Sequence, residues 1–143
     1  MIRACAHCGA RTRVPAQRLA DEGRCGSCRQ QLAPPSEPLD VDGPAFDEII
    51  DGARVPVLVD FWAAWCGPCK AAAPEVARAA AAMRGRALVL KVDTERNADV
   101  ASRFGIRSIP SFVVFQNGEP MAQHAGVVDH SRLEAWLEQA LRS

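Results

Sequence analysis

Two hydrophobic rhythms run along the chain. Residues 55–62 (VPVLVDFW) and 87–92 (ALVLKV) are short, almost wholly apolar runs, the pattern of strands covered on both faces. Phe112–Phe115 is a third run, and a further strand is expected near Met121–His124. Asn117-Gly118 between them is the dipeptide most favoured in tight hairpins. Pro56 is awkward within a ladder, so pairing is expected to begin after it.

Between these runs the spacing turns helical. Phe46, Ile49 and Ile50 share one face of residues 44–53, behind Asp42 as a candidate cap. An Ala-rich stretch from Gly67 to Met83 is built of strong helix formers with Pro74 as a kink. Asn97–Phe104 suggests a short helix, and Leu133, Trp136, Leu137, Ala140 and Leu141 fall on one face of residues 131–141. The order is βαβαβα followed by ββα. Strand-helix-strand units require parallel pairing through crossover helices, and the hairpin adds an antiparallel pair. An α/β fold is therefore expected, with a mixed central sheet and helices on both faces.

A proline-rich segment divides the chain. Three prolines occur within residues 32–38, a composition that favours extended backbone. It separates a small unit, residues 1–33, from a larger one, residues 39–143, with 34–38 as linker. The total of 143 residues allows one full core with such an appendage. With 48% hydrophobic and 24% charged residues, a soluble globular protein is expected.

Charge sharpens the division. Lys plus Arg and Asp plus Glu both number 17, so the formal net charge is zero, which removes a whole-chain case for a polyanion binder. Residues 1–33, however, hold six arginines against Asp21 and Glu22, and the remainder carries the compensating negative excess. The opposite signs predict attraction between the two parts at low salt.

The opening MIRACAHCGARTR is interrupted by Arg3, Arg11 and Arg13, so no secretory signal is expected. Nor is there an apolar run of about 18 residues for a membrane span. A cytoplasmic location is expected, where structural disulfides are rare. The six cysteines form three CxxC pairs, Cys5/Cys8, Cys25/Cys28 and Cys66/Cys69, which metal binding or redox catalysis must then explain.

The first two pairs are separated by 16 residues, the spacing of a tetrahedral zinc site with four cysteine ligands. One zinc ion would replace a core that about 33 residues cannot build alone. Gly9 and Gly26 suit the tight turns, and His7 lies inside the first loop. Residues 1–33 contain no Phe, Trp or Tyr for base stacking. Four thiolates on one zinc ion also leave only about +2 on this unit, which argues against nucleic acid.

The third pair, Cys66-Gly67-Pro68-Cys69, sits between a buried strand and a helix, the context of a redox CxxC. At the helix N-terminus unpaired N–H groups and the helix dipole lower the pKa of Cys66 and make it the candidate nucleophile. Cys69, one turn inside, is expected to be the more buried. Asp60, a carboxylate inside an apolar strand, is expected to be desolvated, with a raised pKa.

Trp65-Cys66-Gly67-Pro68-Cys69-Lys70, preceded by Val59-Asp60-Phe61-Trp62-Ala63, resembles the thioredoxin family. The resemblance covers roughly residues 37–143 and extends to Pro74, Lys91, Gly105–Pro110, the Asn117-Gly118 hairpin and Gly126. With the paired CxxC unit in front, and Thr12–Ala16 within it, the chain resembles the zinc-binding second type of bacterial thioredoxin. The resemblance implies a thioredoxin fold and a protein-disulfide reductase in which Cys69 resolves a mixed disulfide on Cys66. It further implies that Asp60 deprotonates Cys69 with Lys91 as its buried partner, and that Ile109-Pro110 is a cis-proline loop. Trp65, Gly67, Pro68, Ile109, Pro110, Gly126 and Val127 would form a groove for extended peptide. Reducing equivalents would come from thioredoxin reductase and NADPH, with no bound organic cofactor; the partners would be that reductase and disulfide-containing client proteins, and the chain a monomer. Trp62 and Trp136 read as core, and Ser111 departs from the family pattern. Two further readings stand beside this one: the ribbon as a recognition module for protein or nucleic acid, and its zinc as a redox sensor.

Overall fold

The computed structural model describes residues 1–143. The small unit is two antiparallel hairpins, β1 (Ile2–Ala4) with β2 (Arg11–Arg13) and β3 (Gly23–Arg24) with β4 (Gln31–Leu32). A 3-10 turn, Ala16–Arg18, connects them.

The larger unit contains β5 (Leu39–Asp40), α1 (Gly43–Gly52), β6 (Val57–Trp62), α2 (Gly67–Ala82), β7 (Leu88–Asp93), α3 (Ala98–Arg103), β8 (Ser111–Gln116), β9 (Glu119–Ala125) and α4 (His130–Leu141). This is the expected order. The sheet runs β5-β7-β6-β8-β9, with β5, β7 and β6 parallel and β8 and β9 antiparallel to their neighbours. Pairing of β6 begins at Val57, after Pro56, whose carbonyl still accepts from Leu88 N at 3.0 Å.

Period-two alternation on β6 distributes its residues to two cores. Val57, Val59 and Phe61 join Phe46, Ile49 and Ile50 of α1 with Leu90, Val113 and Phe115. Leu58 faces the other side, with Val89, Phe112 and Val114, beneath Ala72, Val76 and Ala79 of α2 and Leu133 and Leu137 of α4. Asp60 has the parity of Leu58, so its carboxylate is directed to the α2 side. Local chemistry starts the helices: Asp42 Oδ1 accepts from Ala45 N at 2.9 Å, and Asp129 Oδ1 from Arg132 N at 3.0 Å.

The two units share apolar contacts. Leu19, 1% exposed, and Ala20 enter the core of α1 and β6. The small unit therefore borrows apolar burial from its neighbour. Gly52 closes against Ala16 so tightly that a Cβ there would lie 2.8 Å from the Ala16 Cβ.

Between the units the structure shows both the apolar contacts and one ion pair. The ion pair between them is Met1 N to Glu48 at 3.6 Å, and the ribbon's arginines form no ion pair with the acidic unit. The apolar contact lies at the C-terminal end of α1, beside the start of β6. Cys66 follows the opposite end of that strand.

Candidate functional site

β6 delivers the chain to a turn at Ala63–Trp65 and then to α2, whose N-cap is Cys66. The Cys66 Sγ accepts from Cys69 N at 3.1 Å, so the first sulfur occupies the place where a helix offers its unpaired donors. Pro68 lies in the first turn, where a missing N–H leaves no gap. Cys66 and Cys69 form a disulfide with a Cα–Cα distance of 5.3 Å.

The loop before β8 closes over this pair. The Ile109-Pro110 peptide is cis, and the Ile109 carbonyl lies 3.8 Å from Cys66 Sγ. Gly126 N donates to Pro110 O at 2.8 Å, with Gly126 at φ +106°, a conformation that strongly favours glycine. Trp65 is 68% exposed beside Cys66, and Val127 is exposed beside Gly126. The Ser111 hydroxyl turns back to Ser108 O at 2.6 Å. Against expectation, Cys69 is not the more buried of the pair: it is 6% exposed and Cys66 3%. The Ile109 carbonyl lies over Cys66.

Asp60 is 2% exposed and its Oδ1 has no hydrogen-bond partner. Burial pushes its carboxyl up to about 7, Lys91 pulls against that shift, and Asp40 adds to it. Lys91 stands opposite Asp60 in the β6–β7 register, and its Nζ lies 4.5 Å from the centroid of the Trp62 ring. Trp62, expected in the core, is instead a half-buried platform for this cation. Trp136 is also half-buried, packed on the α2–α4 core and 5.4 Å from the His124 ring.

One contact had no local signal in the sequence. Trp65 Nε1 donates to Glu95 Oε1 at 2.8 Å. Glu95 belongs to the turn after β7, and the pairing of β6 with β7 brings it to the site.

In the ribbon, the sulfurs of Cys5, Cys8, Cys25 and Cys28 all lie within 4.8 Å of one another. The Cys5–Cys28 and Cys8–Cys25 sulfur distances are both 3.6 Å. Four sulfurs arranged tetrahedrally at about 2.3 Å from a zinc ion are about 3.8 Å apart, so the donor set fits this metal. His7 N and Ser27 N each donate to the first sulfur of their pair at 3.4 Å. The His7 imidazole is not part of the cluster.

Backbone N–H groups of Cys28 and Ser27 hold Cys25 down at about 6. The Gln30 backbone favours the Cys28 thiolate, but burial and the surrounding sulfurs override it and push that thiol up to about 12. A divalent cation would relieve this crowding of negative charge. The two knuckles differ in one respect from expectation. Gly9 takes φ +75° after Cys8, but the matching position after Cys28 is Arg29 at φ +63°, not Gly26. Gly26 instead donates its N–H to Thr12 Oγ1 at 3.3 Å.

Residues 37–139 match the family model described as Thioredoxin, and residues 4–30 match a zinc-ribbon model described as Thioredoxin 2, N-terminal. Thioredoxin C-3 of Corynebacterium nephridii is 39% identical over 142 residues, covering 99% of this chain and 97% of the relative. Thioredoxin 1 of a Nostoc species is 46% identical over 94 residues, 66% of this chain and 87% of the relative. Among solved structures, a mutant thioredoxin from Halobacterium salinarum superposes with a TM-score of 0.71 at 35% identity, covering 77% of this chain and 96% of that one.

Proposed function

The chain belongs to the thioredoxin family, a family of disulfide oxidoreductases, and on that premise we propose that it reduces disulfides of client proteins in the cytoplasm through Cys66 and Cys69. The observation that carries this reading is the Cys66–Cys69 disulfide capping α2 beneath the Ile109 carbonyl. In the reduced protein the Cys66 thiolate attacks one sulfur of a client disulfide. A Cys66–client disulfide forms and the client's other sulfur leaves as a thiolate. Asp60 takes the proton of Cys69, whose thiolate attacks Cys66 Sγ and expels the second client thiolate. The client gains two electrons, and the protein is left with the Cys66–Cys69 disulfide.

Lys91 stabilises the Asp60 carboxylate formed at each discharge of its proton. Trp65, Gly67, Pro68, Ile109, Pro110, Gly126 and Val127 form the groove that aligns an extended client segment, with the Ile109-Pro110 backbone beside the reacting sulfur. Thioredoxin reductase and NADPH return the two electrons, and the chain acts as a monomer.

Residues 1–33 form the zinc unit, 34–38 the linker and 39–143 the catalytic unit in this reading. Cys5, Cys8, Cys25 and Cys28 would hold one zinc ion, which supplies a tetrahedral crosslink between the two hairpins. Insulin-disulfide reduction coupled to NADPH and thioredoxin reductase tests the proposal. The expected result is turnover by the native chain and none by Cys66→Ser; full activity of that variant would overturn it.

A further inference from the structure

Three charged residues occupy one row across the parallel half of the sheet. The β5–β7 register sets Asp40 opposite Lys91, and the β6–β7 register sets Lys91 opposite Asp60. Register partners in a sheet share a face, so the order across the strands is carboxylate, ammonium, carboxylate. Phe112 and His124 continue the same row on β8 and β9.

The two carboxylates differ sharply in surroundings. Asp60 is buried and Asp40 is exposed on the edge strand. Lys91 makes a direct ion pair with neither, and its Nζ rests over the Trp62 ring. Beside it opens a cleft of about 610 Å³ whose lining includes Asp40, Asp42, Trp62, Lys91, Asp93 and Arg96, but not Asp60. Lys91 therefore stands between a buried carboxylate on β6 and a solvated one on β5.

We propose that Asp40 is a positioning residue that competes with Asp60 for the Lys91 ammonium between them and so sets the pH at which Asp60 exchanges its proton with Cys69. The inference rests on the reading of Asp60 as the acid-base group of the resolving step. Asp40 is the acidic register partner of Lys91 on β5, as Asp60 is on β6, so the two carboxylates flank the lysine from opposite strands. The other charges around the cleft are Asp42, Asp93 and Arg96, with Asp93 3.8 Å from Arg96. α2 carries the Cys66–Cys69 pair at its start, and along the row Phe112 on β8 stands between Asp60 and His124 on β9.

The test is a pair of measurements on the full-length zinc-loaded chain: the Asp60 carboxyl titration by carbon NMR in the oxidised state, and the pH profile of insulin reduction. Asp40→Asn is expected to lower the Asp60 midpoint by about half a pH unit and to move the acid limb of the profile the same way. Asp40→Glu should restore both. On a Lys91→Met background the effect of Asp40→Asn should shrink, because the residue acts through the lysine. An unchanged or raised midpoint in Asp40→Asn, or a full shift persisting without Lys91, overturns the proposal. Asp60→Asn, measured in parallel, separates the two levels. If it removes the acid limb, the reading of Asp60 survives a failure of Asp40; if the limb persists, both fall.

Discussion

Trp65 and Glu95 are thirty residues apart in sequence and joined by a 2.8 Å hydrogen bond from the indole Nε1 to the carboxylate. The bond anchors an exposed aromatic ring next to Cys66, where the proposed groove for a client would have one of its walls. Removing it leaves the sulfurs untouched. Glu95→Ala is expected to raise KM for a protein disulfide two- to tenfold, since such a bond is worth about 0.5–1.5 kcal/mol, with kcat nearly unchanged. Steady-state kinetics with insulin, and the fluorescence anisotropy of Trp65 in a chain with Trp62 and Trp136 replaced by Phe, check this.

The buried Asp60 makes stability depend on pH. Its carboxyl titrates near 7 in the folded protein and near 3.9 when unfolded. Below about pH 4 it is protonated in both states and costs the fold nothing. As pH rises toward 7 the unfolded chain releases the proton first, so the native state loses stability progressively, by up to about 4 kcal/mol. Asp60→Asn is therefore expected to melt at a higher temperature than the native chain at pH 8 and to lose that advantage near pH 4, while reducing insulin more slowly at neutral pH. Calorimetry across this range is the check.

Gly52 should resist substitution for a reason outside its own helix. Alanine is intrinsically better in a helix by about 1 kcal/mol, yet its Cβ would meet the Ala16 Cβ at 2.8 Å. Overpacking of this kind costs about 1–3 kcal/mol, so Gly52→Ala is expected to lower the melting temperature. Adding Ala16→Gly should recover the loss, which a simple propensity effect would not do.

Leu19 lies between the two zinc-ribbon CxxC pairs in sequence but is buried in the core of the larger unit. Leu19→Ala is expected to cost about 2–5 kcal/mol and to lower the unfolding midpoint of the catalytic unit as well as the ribbon. Tryptophan fluorescence reports the catalytic unit alone, since residues 1–33 contain no tryptophan. A midpoint unmoved by that probe would show that the two units do not share a core.

Metal analysis of the purified reduced chain should return one zinc per molecule, and Cys25→Ser should lose most of it. The Cys66–Cys69 pair lies outside the four-sulfur cluster, so that variant keeps two redox-active thiols by titration.

What the sequence disclosed was whatever is written in local periodicity or short motifs. The three apolar runs became β6, β7 and β8, and the Asn117-Gly118 turn joined β8 to β9. The gathering of Cys5, Cys8, Cys25 and Cys28 into one cluster followed from their spacing. Contacts made by register did not show: Glu95 reaches Trp65, and Asp40 comes opposite Lys91, only once β7 is paired on both sides. The burial order of Cys66 and Cys69 also escaped, because it is set by a loop more than forty residues away. Leu19 and Ala20, single apolar residues without periodicity, decide the joint between the units.

The ribbon is seated where α1 ends and β6 begins, and the reacting sulfurs lie past the other end of that strand. In practical terms this makes it a handle. A surface, dye or fusion partner attached through exposed ribbon residues such as Arg11, Arg13 or Arg24 would grip the molecule by its blunt end and leave the working tip free.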